Sequence, residues 1–153
     1  MRIYLDTSVP STYFDDRTPD RQAVTRDFWD KALLHGHELQ ISEIVILEIA
    51  QNPNEEKRKK VLELVRDLPE LKQGPEVIVL AKEIVDANLV PAGKIEDAIH
   101  LALSALHRVD VLVSWNFRHM VNLKMRQQLP LVLAKNGCFH KYEIISPYEY
   151  FEV

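Results

Sequence analysis

Three carboxylates and one amide stand where a chain of alternating strands and helices would bring them to one edge. Asp6 follows the β-rich run Arg2-Ile-Tyr-Leu5, and Glu48 interrupts the apolar run Ile44–Ala50. Asp97 falls in the first turn of an Ala-rich segment that starts at Ile95, and Asn116 lies two residues beyond Ser114. If Asp6, Glu48 and Asp97 converge, their mutual repulsion calls for a cation. An all-oxygen donor set suits a hard ion, Mg²⁺ or Mn²⁺, and such a site, open to solvent, commonly activates water against a phosphodiester.

Each of these residues also has a plain structural role open to it. Asp6 can cap the element that follows its strand. Asp97 gains from the helix macrodipole wherever it sits in a first turn. Glu48 lies on an otherwise apolar face, where a glutamate needs a partner, either an arginine or a metal. Asn116 has the type and place of a turn residue. Thr7 and Ser114 flank the acids, where a hydroxyl can orient a carboxylate or a substrate phosphate, or simply bond within a turn. Arg118, His119, Lys124 and Arg126 follow Asn116 and are placed to meet phosphates. His100, three residues after Asp97, faces either the same cleft or the core. His35-Gly-His37 reads as a helix end, Lys57–Lys60 as a solvated helix face, and Trp115 and Phe117 as packing residues. Cys138 has no base partner in the sequence.

The elements that must position these groups can be read from periodicity and punctuation. Strands are expected at Arg2–Leu5, Glu38–Ile41, Asp110–Ser114 and Tyr142–Ile145. Between them, helical spacing covers 20–35, and Ser42 and Asn54 are placed to cap helices over 43–50 and 55–66. Further helices are expected over 76–89, 95–107 and 122–134, while 69–75 reads as a break. Asp6–Pro10 reads as a loop. Strands alternating with helices imply βαβ units around a mostly parallel sheet covered on both faces, in one α/β domain over residues 1–153. In such a sheet ligands bind outside the carboxyl ends of the strands, where Asp6 and Asn116 fall.

Composition bounds the reading. The 153 residues are one domain's length, with 46% hydrophobic and 27% charged residues. Four separated glycines exclude a dinucleotide-binding or P-loop glycine motif, and one cysteine excludes a disulfide framework. A net charge of −4 gives no global attraction to nucleic acid or to an anionic membrane, but a local patch or a bound metal can still dominate a cleft. No apolar run has the length of a spanning helix, and Asp6 falls where a signal peptide would be apolar, so a cytoplasmic location with no membrane association is expected.

Four stretches in order resemble the PIN domain family, and specifically its VapC-like, toxin-type ribonucleases. They are Ile3-Tyr-Leu-Asp-Thr-Ser-Val9, Ile41-Ser-Glu-Ile-Val-Ile-Leu-Glu-Ile49, Ile95-Glu-Asp-Ala-Ile-His-Leu-Ala102 and Val111-Leu-Val-Ser-Trp-Asn-Phe117, with Ile144-Ile-Ser-Pro147 as a fitting tail. The resemblance implies an α/β/α sandwich whose acidic cluster binds Mg²⁺ or Mn²⁺ and cuts single-stranded RNA. It assigns metal and catalysis to Asp6, Glu48 and Asp97, with Asn116 at the fourth place. Many PIN domains carry Asp there; an amide can still accept through its carbonyl but brings no charge. Thr7, Ser114, Arg118 and Lys124 are secondary candidates for substrate contact. A small antitoxin protein and a homodimer are the partners the resemblance implies. Two other classes compete: a non-catalytic PIN-like binding module, and a haloacid-dehalogenase-like phosphatase. The second wants an acid two residues after Asp6, where this chain has Ser8.

Overall fold

The protein was analysed as a computed structural model that describes residues 1–152. Its strands are β1 (Arg2–Leu5), β2 (Glu38–Ser42), β3 (Glu70–Leu71), β4 (Val111–Val113) and β5 (Glu143–Ile145). Helices α1 (Ser8–Tyr13) and α2 (Pro19–Leu34) join β1 to β2, and α3 (Glu43–Ala50) and α4 (Glu55–Val65) join β2 to β3. Helices α5 (Pro75–Asp86) and α6 (Ile95–Leu106) then lead to β4, and α7 (Leu123–Lys135) leads to β5. The five strands form one sheet in the order β3-β2-β1-β4-β5, and every neighbouring pair is parallel.

Crossovers between parallel strands are right-handed. The chain moves outward from β1 to β3, then returns past β1 to β4 and β5, so α1–α4 cover one face and α5–α7 the other. Packing follows this division: α1 lies on α2 and α4, and α5 on α6 and α7. The result is a three-layer α/β/α sandwich with a parallel central sheet. β1, flanked on both edges and covered on both faces, reads as a continuous apolar run, and Ile3, Tyr4 and Leu5 are wholly buried.

The expected elements are present, with local differences. Asp6–Pro10 does not run on as a loop; α1 starts at Ser8, and the N–H of Ser8 bonds Asp6 Oδ1 at 3.1 Å. The break at 69–75 holds a two-residue edge strand, β3, paired with Ile41 and Ser42. α5 ends at Asp86, short of Leu89, because Asn88 takes a left-handed φ of 62°. Asn54 and Asn122 cap α4 and α7 through their side chains, but Ser42, although at the N-cap position of α3, turns its hydroxyl to Tyr4 instead.

Candidate active site

The sheet order reverses between β1 and β4, which are adjacent although distant in sequence, and the crevice outside their carboxyl ends is where such sheets bind ligands. Asp6 and Ser114 stand there, each one residue past its strand. The Ser114 hydroxyl donates to Asp6 Oδ2, and the Ser8 hydroxyl and N–H donate to Oδ1. Asp6 is only 3% exposed. Burial pushes its carboxyl above the ordinary carboxylate range and Asp97 adds to that, while His100 and the two serines oppose it.

Glu48, on α3, projects toward the same edge from the neighbouring strand's connection. Its Oε1 accepts from the Thr7 hydroxyl at 2.8 Å and lies 2.8 Å from His100 Nε2. Burial alone would push the Glu48 carboxyl up; the bond and charge of His100, with the Thr7 hydroxyl, hold it below its ordinary value. His100 is itself buried, with Nδ1 2.7 Å from the Tyr4 hydroxyl, which is 2.7 Å from Ser42 Oγ. A chain of polar groups from β2, β1 and α6 thus fixes one oxygen of Glu48.

Asp97 enters from the first turn of α6, and its Oδ2 is 2.9 Å from His119 Nδ1. Glu48, Asp97, Asn116, Arg118 and His119 line one open cleft of about 610 Å³, with Lys94 on its wall. Asp6 is buried and is not part of that lining, but it shares the Ser114 hydroxyl with the backbone N–H of Asn116, which is.

The sequence candidates sort accordingly. Glu48, Asp97, Asn116 and Arg118 come together, and Asp6 adjoins them through Ser114, whose hydroxyl donates to Asp6 and accepts from the Asn116 N–H. Thr7 and Ser114 do not face substrate with free hydroxyls; both donate to carboxylates. Lys124 is not brought to the acids: its Nζ bonds the Asn88 carbonyl at 3.1 Å, beside a neighbouring concavity. Arg126 turns away as well, held by the Ile144 carbonyl and by Glu149. Asn116 does bond within its turn, its Oδ1 accepting from the His119 N–H at 2.9 Å while it lines the cleft. Asp6 likewise combines the capping role with its place at the crevice.

Two functional contacts were less legible in the sequence. Ser8, notable there only as the missing acid of a phosphatase motif, supports Asp6. His119, read only as a cationic neighbour, pairs with Asp97; its spacing of three from Asn116 is the one available signal.

The donor chemistry fits a hard divalent cation. All the acidic donors are oxygen, and Asp6 is a buried carboxyl that forms no ion pair among the described residues. Both of its oxygens accept from serine hydroxyls, while Oε2 of Glu48 and Oδ1 of Asp97 accept no hydrogen bond among the described residues. Among the described residues, however, no three acidic, histidine or cysteine side chains are gathered tightly enough to hold an ion directly as they stand. The expected convergence is therefore to one crevice rather than to a closed cluster.

Among the described residues no helix is long and apolar enough to cross a membrane. No curated protein matches the sequence. The fold is similar to a chain of the VapBC2 complex from Rickettsia felis bound to a DNA fragment from their promoter, with a TM-score of 0.57 and 12% identity, over 95% of this chain and 98% of that one. The sequence model of the PIN domain family matches residues 3–119, which include all four residues of the crevice named from the sequence. On that match, over most of its length, the chain belongs to the PIN domain family.

Proposed function

We propose that the protein is a ribonuclease that cleaves single-stranded RNA with Mg²⁺ or Mn²⁺, acting as the toxin of a toxin–antitoxin pair. The observation that carries this reading is the cleft itself: Glu48, Asp97 and Asn116 stand with Arg118 at the switch point of a parallel sheet, joined through Ser114 to the buried Asp6, in a PIN family chain. Asp6, Asp97 and Glu48 are the residues that would hold the cation. When bound, a divalent ion supplies a water of lowered pKa and neutralises charge on a phosphate undergoing in-line displacement.

The remaining roles belong to the chain. Ser8 and Ser114 hold both oxygens of Asp6 in one orientation. His100 and Thr7 hold Oε1 of Glu48, leaving Oε2 to turn toward the cleft as ligand or as acceptor for the attacking water's proton. Arg118 and Lys94, on the cleft wall, counter the phosphate charge as the strand enters. Asn116 orients the 116–119 turn and presents an amide rather than a fourth carboxylate, which favours one divalent ion over two.

The likeness in fold to a chain of a VapBC complex supports a small antitoxin as partner, masking the cleft. The same reading carries a cytoplasmic location, a homodimer and a single functional domain over residues 1–153. A phosphatase of the haloacid-dehalogenase kind is disfavoured, because Ser8 fills the place of its second acid and donates to Asp6. A pure binding module would show no metal-dependent cleavage.

Incubation of varied RNAs with Mn²⁺, comparing the wild type with Asp6→Ala and Asp97→Asn, tests the proposal. Cleavage that requires Mn²⁺ and both aspartates is the expected result. Cleavage unaffected by either substitution, or none with any single-stranded RNA, overturns it.

A further inference from the structure

The loop that carries Asn116 continues from the cleft into a group of rings that plays no part in holding the carboxylates. Trp115 is its buried centre. Its Nε1 donates to Thr25 Oγ1 at 2.9 Å, and its backbone N–H donates to Ser8 Oγ at 2.8 Å, the same hydroxyl that supports Asp6. The indole is therefore fixed relative to the crevice by a hydrogen-bonded path only one residue long.

Around it stand Phe117, with ring centroids 6.2 Å apart, and Tyr148, packed edge-on at 4.9 Å. The Arg21 guanidinium, reaching in from α2, lies 5.0 Å from the Trp115 centroid and 5.4 Å from that of Phe117. Trp115 is 5% exposed and so packs as its sequence context suggests, but Phe117 is 39% exposed and Tyr148 47%. Arg21 is exposed too, and among the described residues no carboxylate pairs with it. Phe117 sits between Asn116 and Arg118, both of which line the acidic cleft.

Exposed rings and an unpaired guanidinium, anchored beside a cleft that has its own cations, match what a single strand offers. Its bases have free π-faces that stack on aromatic rings or on guanidinium planes, and its phosphates attract the same cation. We infer that Phe117 and Arg21, with Tyr148 as a second ring, form a nucleobase-stacking subsite for the single-stranded RNA whose phosphate enters the acidic cleft. This rests on the ribonuclease reading above. Stacking of this kind is tolerant of sequence, so the subsite adds affinity and registers the strand without selecting a base.

The test is binding of a short labelled RNA single strand, and of the same strand carrying abasic positions, followed by fluorescence anisotropy in EDTA so that nothing is cut. Phe117→Ala weakens binding of the base-bearing strand by roughly 5- to 150-fold, and Tyr148→Ala weakens it in the same direction. Phe117→Tyr restores it, and Phe117→Leu, which keeps apolar bulk without a π-face, does not. The abasic strand binds all these proteins weakly and equally. Arg21→Ala lowers the slope of log affinity against log salt by about 0.7, the value for one phosphate contact on a single strand. Thermal melting confirms that each variant is folded.

Equal binding of base-bearing and abasic strands, as expected if the rings serve a protein partner instead, overturns the subsite. So does unchanged binding in Phe117→Ala. If the wild type cleaves RNA while these variants bind normally, the subsite falls and the ribonuclease reading stands. If the wild type neither binds nor cleaves single-stranded RNA, both fall together.

Discussion

His100 Nε2 lies 2.8 Å from Glu48 Oε1 across the boundary between α6 and α3, and on its other side the same ring meets the Tyr4 hydroxyl at 2.7 Å. A glutamate in an otherwise apolar stretch is thus partnered by a histidine from a helix on the opposite layer. The pairing gives a first prediction. His100→Ala removes a buried ring and leaves the Tyr4 hydroxyl with Ser42 alone, which should cost about 2–4 kcal/mol in urea denaturation. Glu48, freed of its strongest lowering influence, should titrate higher, so the acid limb of the cleavage profile should move to higher pH. An unmoved acid limb would detach Glu48 from the reaction.

Asp6 gives the opposite sign. Its carboxyl is raised in the folded protein, so the charged form is the one folding disfavours. The penalty is absent well below the ordinary value of 3.8 and grows as pH rises through the folded pKa. Asp6→Asn should therefore raise the melting temperature of the metal-free protein at pH values above the folded pKa, with the gain vanishing toward pH 3. Melting curves across pH for the two proteins decide it. A gain that persists in acid would point to packing rather than charge.

Cation and stability should be linked through the same group. Mn²⁺ that binds the folded state alone raises stability by about 2.7 kcal/mol at a hundredfold excess over its Kd. Asp97→Asn should remove most of that increment and abolish cleavage while leaving the metal-free protein equally or more stable, because its amide oxygen can still meet His119. If Asp97→Asn instead unfolds the domain, the residue serves the first turn of α6 and not the cleft.

Asn116 is open to a separate measurement. Asn116→Asp keeps the acceptor for the His119 N–H and adds a charge to the cleft, so half-maximal cleavage should need less Mn²⁺ than in the wild type. Asn116→Ala removes the acceptor and should cost about 1 kcal/mol of stability. Coincident Mn²⁺ curves for Asn116 and its Asp variant, taken at fixed ionic strength, would confine the residue to its turn.

The layered fold was legible because its signals are periodic: buried strands as apolar runs, helices as spaced apolar positions, and asparagine caps at 54 and 122 that hold in the structure. The acids were legible because strand ends and helix starts are where an α/β sheet places its ligands. Side-chain direction was not. Ser42 has the type and place of a helix cap, yet the Tyr4 hydroxyl from the adjacent strand claims it, and no local pattern carries that competition. Lys124 and Arg126 lie near Asn116 in sequence but sit on α7, whose orientation hands them to Asn88 and Glu149. β3 escaped because two residues have no period, and α1 because Pro10 within so short a segment suggests a loop although the first turn of a helix accepts it.

The bond from Ser114 to Asp6 spans 108 positions of sequence. During synthesis, β1 emerges first and has no neighbour on the β4 side until most of the remaining chain has followed. The crevice is therefore among the last features to close, and a ribosome-bound or prematurely ended chain lacking β4 carries its acids without the strand that orients them. On the proposed ribonuclease reading, a chain that ends before β4 lacks the Ser114 hydroxyl that orients Asp6 and should not cleave RNA.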